Sequence, residues 1–594
     1  MSVIIDLMAK QIKKNLGVIK RRRGMEFRVW APFAKQVSLA LPYVSYDTSN
    51  ARPMNSEGDG YWSILAEDAE VGQVYKYLVD TGKEMLVRND PRGRALTTSN
   101  GGDSILTTTK FDWTDENFTP KPLNQQVIYE MHIGTFNRRD PATQGTFHDA
   151  IEKLDYLKDL GITTIELMPV TSMLNSYGWG YNTISAYTVE SSYGGRRGLM
   201  EFVNACHERD IAVVLDLVYN HFSGGNDLWQ FDGWNENGRG GIYFYNDERG
   251  DTPWGSRPDY GRPEVRQYIL DNITMWLTEY HVDGFRLDST IYMRNTAGND
   301  DPTTSIPDAW PLLQAISKLT KRIKPNAILI AEDNSSTSAI VDPVSIGGCG
   351  FDAQWQLNLV HTLKSQLDLP TAYSGDLMAE LSTQYGDSPF RRVIFSDSHD
   401  TAANGGARIN TAADPEQPAS KIAKQKTLIA NAATLLLNGT PMLLQGVEFL
   451  QSGDFNDWNG LEWENVEKHA GFVDAHRHLI ALRLNHYGDS AGLAGASQAV
   501  IHYNPADRIV VLHRWDRGGP GDDTVVVLNF GDKEFRTYEI VMPHDGAWLN
   551  RFNSAWKGYS DDFREAQIQE IFTRDNREVS IHIAPYAVYI FTLR

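Results

Sequence analysis

Several apolar runs of this chain end in residues that can do acid–base or nucleophilic chemistry. In GFRLD at 284–288, Arg286 and Asp288 are two residues apart, so a β-strand here would place both side chains on one face. A cation beside a carboxylate favours its ionised form, and an ionised, oriented carboxylate can act as a nucleophile in covalent catalysis. Taken alone, the stretch is equally compatible with a structural Arg–Asp pair at the end of a strand.

Three further apolar runs end in acids and histidines: DLVYNH at 216–221, AED at 331–333 and FSDSHD at 395–400. They add His221, Glu332, His399 and Asp400 to the candidate residues. Carboxylates that lie close together repel one another, so acids at several strand ends destabilise a fold unless a function compensates. Each histidine alone is more easily explained as structural, and a metal site of histidines and acids is a further alternative. Because no two histidines have the i, i+4 spacing of a helical metal motif, we predict no metal and no cofactor.

Strand-like and helix-like patterns alternate between Gln126 and Asn485 and would position these residues. The strand-like runs are Val127 to Met131, Thr164 to Met168, Ile211 to Val218, Val282 to Leu287, Ala327 to Glu332, Gly350 to Trp355, Arg392 to Asp397 and Met442 to Gln445. Eight such units predict an α/β fold of the (β/α)₈ TIM-barrel type, in which functional side chains come from the carboxyl ends of the strands. The sixth run has the weakest pattern. A glycine-rich phosphate loop is absent from the first unit, which argues against a dinucleotide-binding fold.

Short β segments with turn residues between them flank the predicted barrel on both sides. We therefore predict an N-terminal β-sandwich at 24–120, the barrel at 121–484 and a C-terminal β-sandwich at 485–594. An N-terminal segment at 1–23 precedes them. It ends in the basic run Lys20 to Arg23, which is expected to be a solvated tail.

Composition excludes several classes of function. The chain has 594 residues, a formal net charge of -20 and a pI of about 5.2, so nucleic acid and anionic membranes are not expected as partners. Its two cysteines, Cys206 and Cys349, exclude a disulfide framework and a cysteine-based zinc site. The longest apolar stretch, Thr427 to Leu437, is too short to span a bilayer. A cytoplasmic location is predicted, since the N-terminus lacks the residue order of a secretory signal.

In order and in position on the predicted barrel, these four motifs resemble those of the α-amylase superfamily, glycoside hydrolase family 13. FRVWAPFAKQVSLAL at 27–41 and VIYEMHIGTF at 127–136 also resemble the N-terminal sandwich and first barrel strand of its branching enzymes, isoamylases and trehalohydrolases. The resemblance implies that Asp288 is the nucleophile and Glu332 the general acid and base. It implies that Asp400 binds ring hydroxyls and the oxocarbenium-like transition state.

The same resemblance implies substrate-binding roles for four more residues. Arg286 would orient and ionise Asp288, and His221 and His399 would hydrogen-bond the sugar. Tyr181, in WGYNTISAY, would stack under that sugar. If the two main carboxyl groups lie about 5 to 5.5 Å apart, the reaction retains the anomeric configuration.

Within the family, AEDNSS at 331–336 and GGCGFDAQW at 347–355 resemble branching enzymes, which make α-1,6 branches from α-1,4-linked starch, glycogen or maltooligosaccharide. TPWG at 252–255 also resembles maltooligosyltrehalose trehalohydrolase, although Asn182, Ser289 and Thr290 stand where that enzyme has other residues. A branching enzyme is therefore the first hypothesis and an α-glucan hydrolase the second. A binding protein that has lost catalysis is a third, but such relatives lack the acids that this chain retains. Trp62 is a conceivable sugar platform or a packing residue.

Overall fold

The computed structural model describes residues 15–44, 49–99, 101–175, 177–335, 337–372, 374–564 and 570–594. Most of the predicted N-terminal segment, residues 1–14, lies outside these ranges, as does Ser336 in AEDNSS. Part of the basic run predicted as a tail belongs to a strand instead, because Gly17–Arg21 pairs antiparallel with Gly24–Trp30. Lys20 and Arg21 are exposed at the end of that strand.

Two antiparallel sheets form the N-terminal domain, β1-β2-β6-β5 and β4-β3-β7-β8 with β9 paired to β7. Their strands are β1 (Gly17–Arg21), β2 (Gly24–Trp30), β3 (Gln36–Ala40), β4 (Ala51–Pro53), β5 (Asn55–Gly58), β6 (Tyr61–Ala66), β7 (Val74–Asp80), β8 (Met85–Arg88) and β9 (Ser104–Ile105). Alternate apolar residues such as Phe27 and Val29 are buried in the core. Trp62 is only 8% exposed and its Nε1 donates to Ala31 O at 3.1 Å, so it packs in this core and offers no sugar platform.

Eight parallel strands close into a barrel in the order β10-β11-β14-β15-β16-β17-β18-β19, which confirms the predicted fold class. The strands of this region are β10 (Ile128–Met131), β11 (Thr164–Leu167), β12 (Thr171–Met173), β13 (Thr183–Val189), β14 (Ala212–Leu217), β15 (Gly284–Leu287), β16 (Ile328–Ala331), β17 (Ala353–Trp355), β18 (Arg392–Ile394) and β19 (Thr440–Leu444). Pairing of β10 with β19 completes the closure. The sixth barrel strand, β17, has three residues, which explains its weak sequence pattern.

A small antiparallel pair, β12 and β13, follows β11 in a segment that contains none of the predicted strand-like runs. Its register shifts at both steps along β12, so the regular alternation that identifies a strand in sequence is missing. Tyr181 lies in the connection between these two strands.

Helices follow most of the barrel strands. They are α1 (Ile133–Phe136), α2 (Phe147–Ile151), α3 (Leu154–Leu160), α4 (Gly195–His207), α5 (Pro263–Glu279), α6 (Thr290–Arg294), α7 (Ala309–Ile323), α8 (Leu357–Gln366), α9 (Leu377–Ser382), α10 (Ile409–Ala413), α11 (Lys421–Leu436), α12 (Glu464–Lys468) and α13 (Ala470–Arg483). The helix α5 begins with Pro263, whose fixed φ and missing N–H suit a first turn, and it buries Ile269, Ile273 and Trp276. Among the helices of the described ranges, none is long and apolar enough to cross a membrane.

The C-terminal domain is a β-sandwich with a six-stranded sheet, β20-β21-β22-β27-β24-β25, and a two-stranded sheet, β23-β26. Its strands are β20 (Ser497–Asn504), β21 (Ile509–Trp515), β22 (Thr524–Asn529), β23 (Phe535–Val541), β24 (Gly546–Asn553), β25 (Ile571–Thr573), β26 (Glu578–Ile583) and β27 (Ala587–Leu593). Val511 and Val525 of the larger sheet share one core with Ile540 and Ile583 of the smaller sheet.

Gly284 at the start of β15 permits the close approach of the neighbouring strand β16. A Cβ atom on this residue would lie 1.8 Å from the carbonyl oxygen of Ile328, its partner in the register. We expect Gly284→Ala to destabilise the protein by about 3 kcal/mol or more, because the backbone of β16 would have to move. The free energy of unfolding in denaturant measures this loss.

Gly224→Ala is the matched control, since a Cβ there meets no atom of the described residues within 4 Å. Equal stability of the two variants would show that the barrel tolerates separation of β15 from β16.

Candidate active site

The side chain of Arg286, on β15, is fully buried and binds three carboxylates. Nη1 lies 2.7 Å from Asp216 Oδ2 and 2.8 Å from Asp288 Oδ1. Nη2 lies 2.7 Å from Glu332 Oε2. The guanidinium carbon is 4.4 Å from the ring centroid of Trp355. Because adjacent barrel strands lead to these acids, the closed sheet brings together residues that are far apart in sequence.

Asp288 directly follows β15 and is held from two sides. Arg286 binds its Oδ1, and Asn220 Nδ2 donates to its Oδ2 at 2.5 Å. Its backbone N–H donates to Leu217 O at 3.0 Å, which ties the end of β15 to the end of β14. The side chain is 13% exposed, so a carboxylate that is fixed in position remains accessible from the barrel mouth.

Glu332 directly follows β16 and has an environment different from that of Asp288. Its Oε2 accepts a hydrogen bond from the backbone N–H of Ser289 at 2.8 Å in addition to the one from Arg286. Ser289 has a φ of 40°, in the left-handed region, and this turn directs its N–H at the carboxyl group. Burial, opposed by Arg286 and reinforced by the charges of Asp288 and Asp400, raises the pKa of Glu332 to about 8. Glu332 is therefore protonated near neutral pH.

The third acid, Asp400, is 45% exposed, and His399 Nε2 lies 3.6 Å from its Oδ1. The other ring nitrogen of His399, Nδ1, lies 2.6 Å from Glu130 Oε1, and the His399 backbone N–H donates to Glu130 Oε2 at 2.9 Å. Burial alone would lower the pKa of His399, but the carboxylates of Asp400 and Glu130 raise it to about 9. A positive charge therefore lies beside the exposed acid near neutral pH.

Tyr181 connects the acids around Arg286 with the pair formed by His399 and Asp400. Its hydroxyl donates to Asp216 Oδ2 at 2.6 Å and lies 3.0 Å from His399 Nε2. Its ring stacks on the imidazole of His399, with the ring centroids 5.3 Å apart. The tyrosine is thereby held in one orientation.

His221 is buried beside Asn220, whose Oδ1 contacts its Nδ1. Its Nε2 is buried without a hydrogen-bond partner among the described residues, and burial lowers the pKa of His221. The ring lies 5.6 Å from that of Trp254, a tryptophan that is 48% exposed. A polar atom with no protein partner next to an exposed aromatic ring is suited to a ligand that has both hydroxyl groups and apolar faces.

Comparison with known proteins identifies the family. The alpha amylase catalytic domain matches residues 130–258 and 256–483, more than half of the chain. The chain belongs to the α-amylase family, glycoside hydrolase family 13, a family of glycosidases and transglycosidases. Carbohydrate-binding module 48, the isoamylase N-terminal domain, matches residues 15–93, and the alpha amylase C-terminal all-β domain matches residues 500–594. A carbohydrate is therefore the class of ligand that this α-amylase-family protein binds.

Individual relatives cover much of the chain. Malto-oligosyltrehalose trehalohydrolase of Saccharolobus solfataricus is 32% identical over 66% of this chain and 69% of its own length. A 1,4-alpha-glucan branching enzyme of Oceanobacillus iheyensis is 25% identical over 97% of this chain and 94% of its own length. A pullulanase from Anoxybacillus sp. LM18-11, solved with maltotriose, has a TM-score of 0.77 at 21% identity and covers 100% of this chain and 87% of the pullulanase. At that identity the structural likeness supports the fold alone.

The structure gathers every predicted site residue at one end of this α-amylase-family barrel, and it adds residues that sequence reasoning left out or placed elsewhere. Asp216 and Asn220, both in the DLVYNH motif, contact Arg286 and Asp288 directly. Glu130 and Glu166 lie within barrel strands, whereas the acids predicted from the sequence are those that end such runs. The sequence signal that could have identified these two acids is a charged residue within an otherwise apolar strand. Burial raises the pKa of Glu166 well above its usual range and that of Asp216 to about 6.

Proposed function

We propose that the protein cleaves α-1,4 bonds of α-glucans through a covalent glycosyl-enzyme and retains the anomeric configuration. The observation that carries this proposal is the placement of Asp288 and Glu332 on the two terminal nitrogens of one guanidinium, that of Arg286. The arrangement provides a carboxylate whose two oxygens are held by Arg286 and Asn220 and a protonated carboxyl group in the same site, as double displacement requires. The predicted separation of about 5 to 5.5 Å between the two carboxyl groups stays a prediction.

In the first step, Glu332 donates its proton to the glycosidic oxygen while Asp288 attacks the anomeric carbon. The bond between that carbon and the oxygen breaks, and the reducing-end part of the glucan leaves with the proton. In the second step, the Glu332 carboxylate removes a proton from the acceptor hydroxyl. The acceptor oxygen then bonds to the anomeric carbon and Asp288 is released.

The surrounding residues have supporting roles in this proposal. Arg286 and Asn220 orient the carboxylate of Asp288 by binding its two oxygens, and Tyr181 supports the sugar ring. Asp400, beside the positively charged His399, binds ring hydroxyls and the cationic transition state. His221, with its unpartnered Nε2, accepts or donates a further hydrogen bond to the sugar.

As the acceptor we propose the 6-hydroxyl of another glucan, which makes the protein a 1,4-α-glucan branching enzyme. This choice is supported by branching enzymes that align with nearly the whole chain, including both flanking domains. Hydrolysis is the second candidate, because the trehalohydrolase has the higher identity at 32%. We also propose a cytoplasmic location, supported by two cysteines that are both free and buried.

Incubation with amylose distinguishes transfer from hydrolysis. For a branching enzyme we expect new α-1,6 signals in the proton NMR spectrum and an unchanged number of reducing ends, since each broken bond is replaced by a new one. Reducing ends that increase without branches would refute transfer. Free trehalose released from a maltooligosyltrehalose would identify the second candidate instead.

Replacement of the proposed nucleophile tests the roles within the site. We expect Asp288→Asn to reduce kcat on amylose by at least about a thousandfold, because no glycosyl ester can form. Circular dichroism and the thermal unfolding midpoint should show an intact fold. Asp112→Asn, at an exposed aspartate outside the barrel, is the control and should retain full activity. Activity in Asp288→Asn near that of the control would contradict the assignment.

The raised pKa of Glu332 predicts the pH dependence of the reaction. A general acid must be protonated, so kcat/KM should decrease as the pH increases through about 8. With α-maltosyl fluoride, whose leaving group needs no proton, the same decrease in the first step should be absent. A kcat/KM on amylose that stays constant well above pH 8 would exclude Glu332 as the acid.

A further inference from the structure

Three side chains of the C-terminal domain converge outside the barrel and form what we call the His–Asp–His cluster: His513, Asp523 and His544. Nε2 of His513 lies 2.8 Å from Asp523 Oδ1, and Nε2 of His544 lies 3.2 Å from Asp523 Oδ2. One potential ligand atom from each residue lies within 4.8 Å of the other two. Among the described residues, this is the group of histidines, cysteines and acids whose atoms are arranged to hold a metal ion.

The carboxylate of Asp523 is fully buried, and its environment provides little positive charge. Its ion-pair partners in the described part of the chain are two imidazoles, with no lysine or arginine. The backbone N–H of Gly519 donates a further hydrogen bond to Oδ2 at 2.9 Å. Because a buried carboxylate is costly without a cation, this site favours the binding of one.

The positions of both histidines are determined by neighbouring groups. The ring of His513 stacks on that of Trp515, with the centroids 4.4 Å apart. The carbonyl oxygen of His544 accepts hydrogen bonds from Trp548 Nε1 at 3.2 Å and from Thr573 Oγ1 at 3.0 Å. Stacking thus orients the ring of His513, and hydrogen bonds fix the backbone of His544, which lowers the cost of assembling the site around an ion.

We propose that the His–Asp–His cluster binds one Zn²⁺ ion through Nε2 of His513, Nε2 of His544 and a carboxylate oxygen of Asp523. Two imidazoles and one carboxylate form a common donor set for zinc, whereas Ca²⁺ and Mg²⁺ require oxygen ligands. Tetrahedral zinc separates such ligand atoms by about 3.3 Å. The two imidazole–carboxylate spacings, 2.8 and 3.2 Å, are within about half an ångström of this value, and all three ligand atoms lie within 4.8 Å of one another. The side chain of His544 is 53% exposed, which provides an entry path and leaves the fourth position to water.

The bound ion would act as a structural link within the C-terminal domain. It would join β21, the start of β22 and the turn before β24, three segments that the chain brings together only on folding. This proposal departs from the prediction of no metal site, which rested on the spacing of histidines along the sequence. It is also independent of the chemistry proposed for the barrel.

The test uses the full chain after removal of metal by dialysis against a chelator. Calorimetric titration with Zn²⁺ should show one ion bound per chain, and the thermal unfolding midpoint should increase with Zn²⁺ concentration, because the ion binds the folded state. Co²⁺ should produce the intense visible absorption of a tetrahedral site. His544→Ala should bind Zn²⁺ at least about tenfold more weakly and lose the increase in the unfolding midpoint.

His582→Ala is the matched control. His582 is 44% exposed in the same domain and forms a pair with Glu534 at 3.0 Å, but it does not belong to the cluster. Unchanged Zn²⁺ binding in this variant and weakened binding in His544→Ala would support the proposal. The proposal is overturned if the parent protein binds no stoichiometric Zn²⁺, or if His544→Ala binds it as tightly as the parent. Activity on amylose without added metal reports on the barrel alone and separates the two proposals.

Discussion

The barrel mouth depends on one buried cation, the guanidinium of Arg286. Three carboxylates lie within hydrogen-bonding distance of its terminal nitrogens, and the full burial of the guanidinium keeps solvent screening of these interactions low. Removing one partner of such a buried pair typically costs about 3–5 kcal/mol, because the remaining charge stays in a medium of low polarity. Arg286 therefore both stabilises the ends of three adjacent strands and determines where each acid points.

One positive charge among three acids also explains how the acids differ from one another. Full ionisation would leave a net negative charge in a largely buried site, so at least one acid retains its proton near neutral pH. The pKa of Glu332 is raised to about 8 and that of Asp216 to about 6, whereas Arg286 and Asn220 together bind Asp288 as an acceptor. The second cation, the imidazolium of His399, lies next to the more exposed Asp400 and is itself maintained by Glu130. The division of roles proposed for the acids follows from these environments.

Much of the architecture was predictable because each barrel strand is buried on both faces and therefore has a continuous apolar run. Elements that lack such a run were either absent from the prediction or had a weak sequence pattern. The pair β12 and β13 has an irregular register, and β17 has three residues. In the C-terminal domain, the polar residues Asn550 and Arg551 stand side by side in β24, which weakens its alternation, and β25 has three residues.

The sequence by itself determined the order of the strands, the residues that end them and, through the resemblance of four motifs, the family. Only the tertiary structure decided which groups meet. Barrel closure places Glu130 beside His399, a pair separated by 269 positions in the chain, and sandwich packing places His544 beside Asp523. The tertiary structure also decided the ionisation of the acids and histidines, since a pKa depends on burial and on charges a few ångströms away. The spacing of residues along the chain indicates neither their burial nor the charges near them, because both are properties of the folded protein.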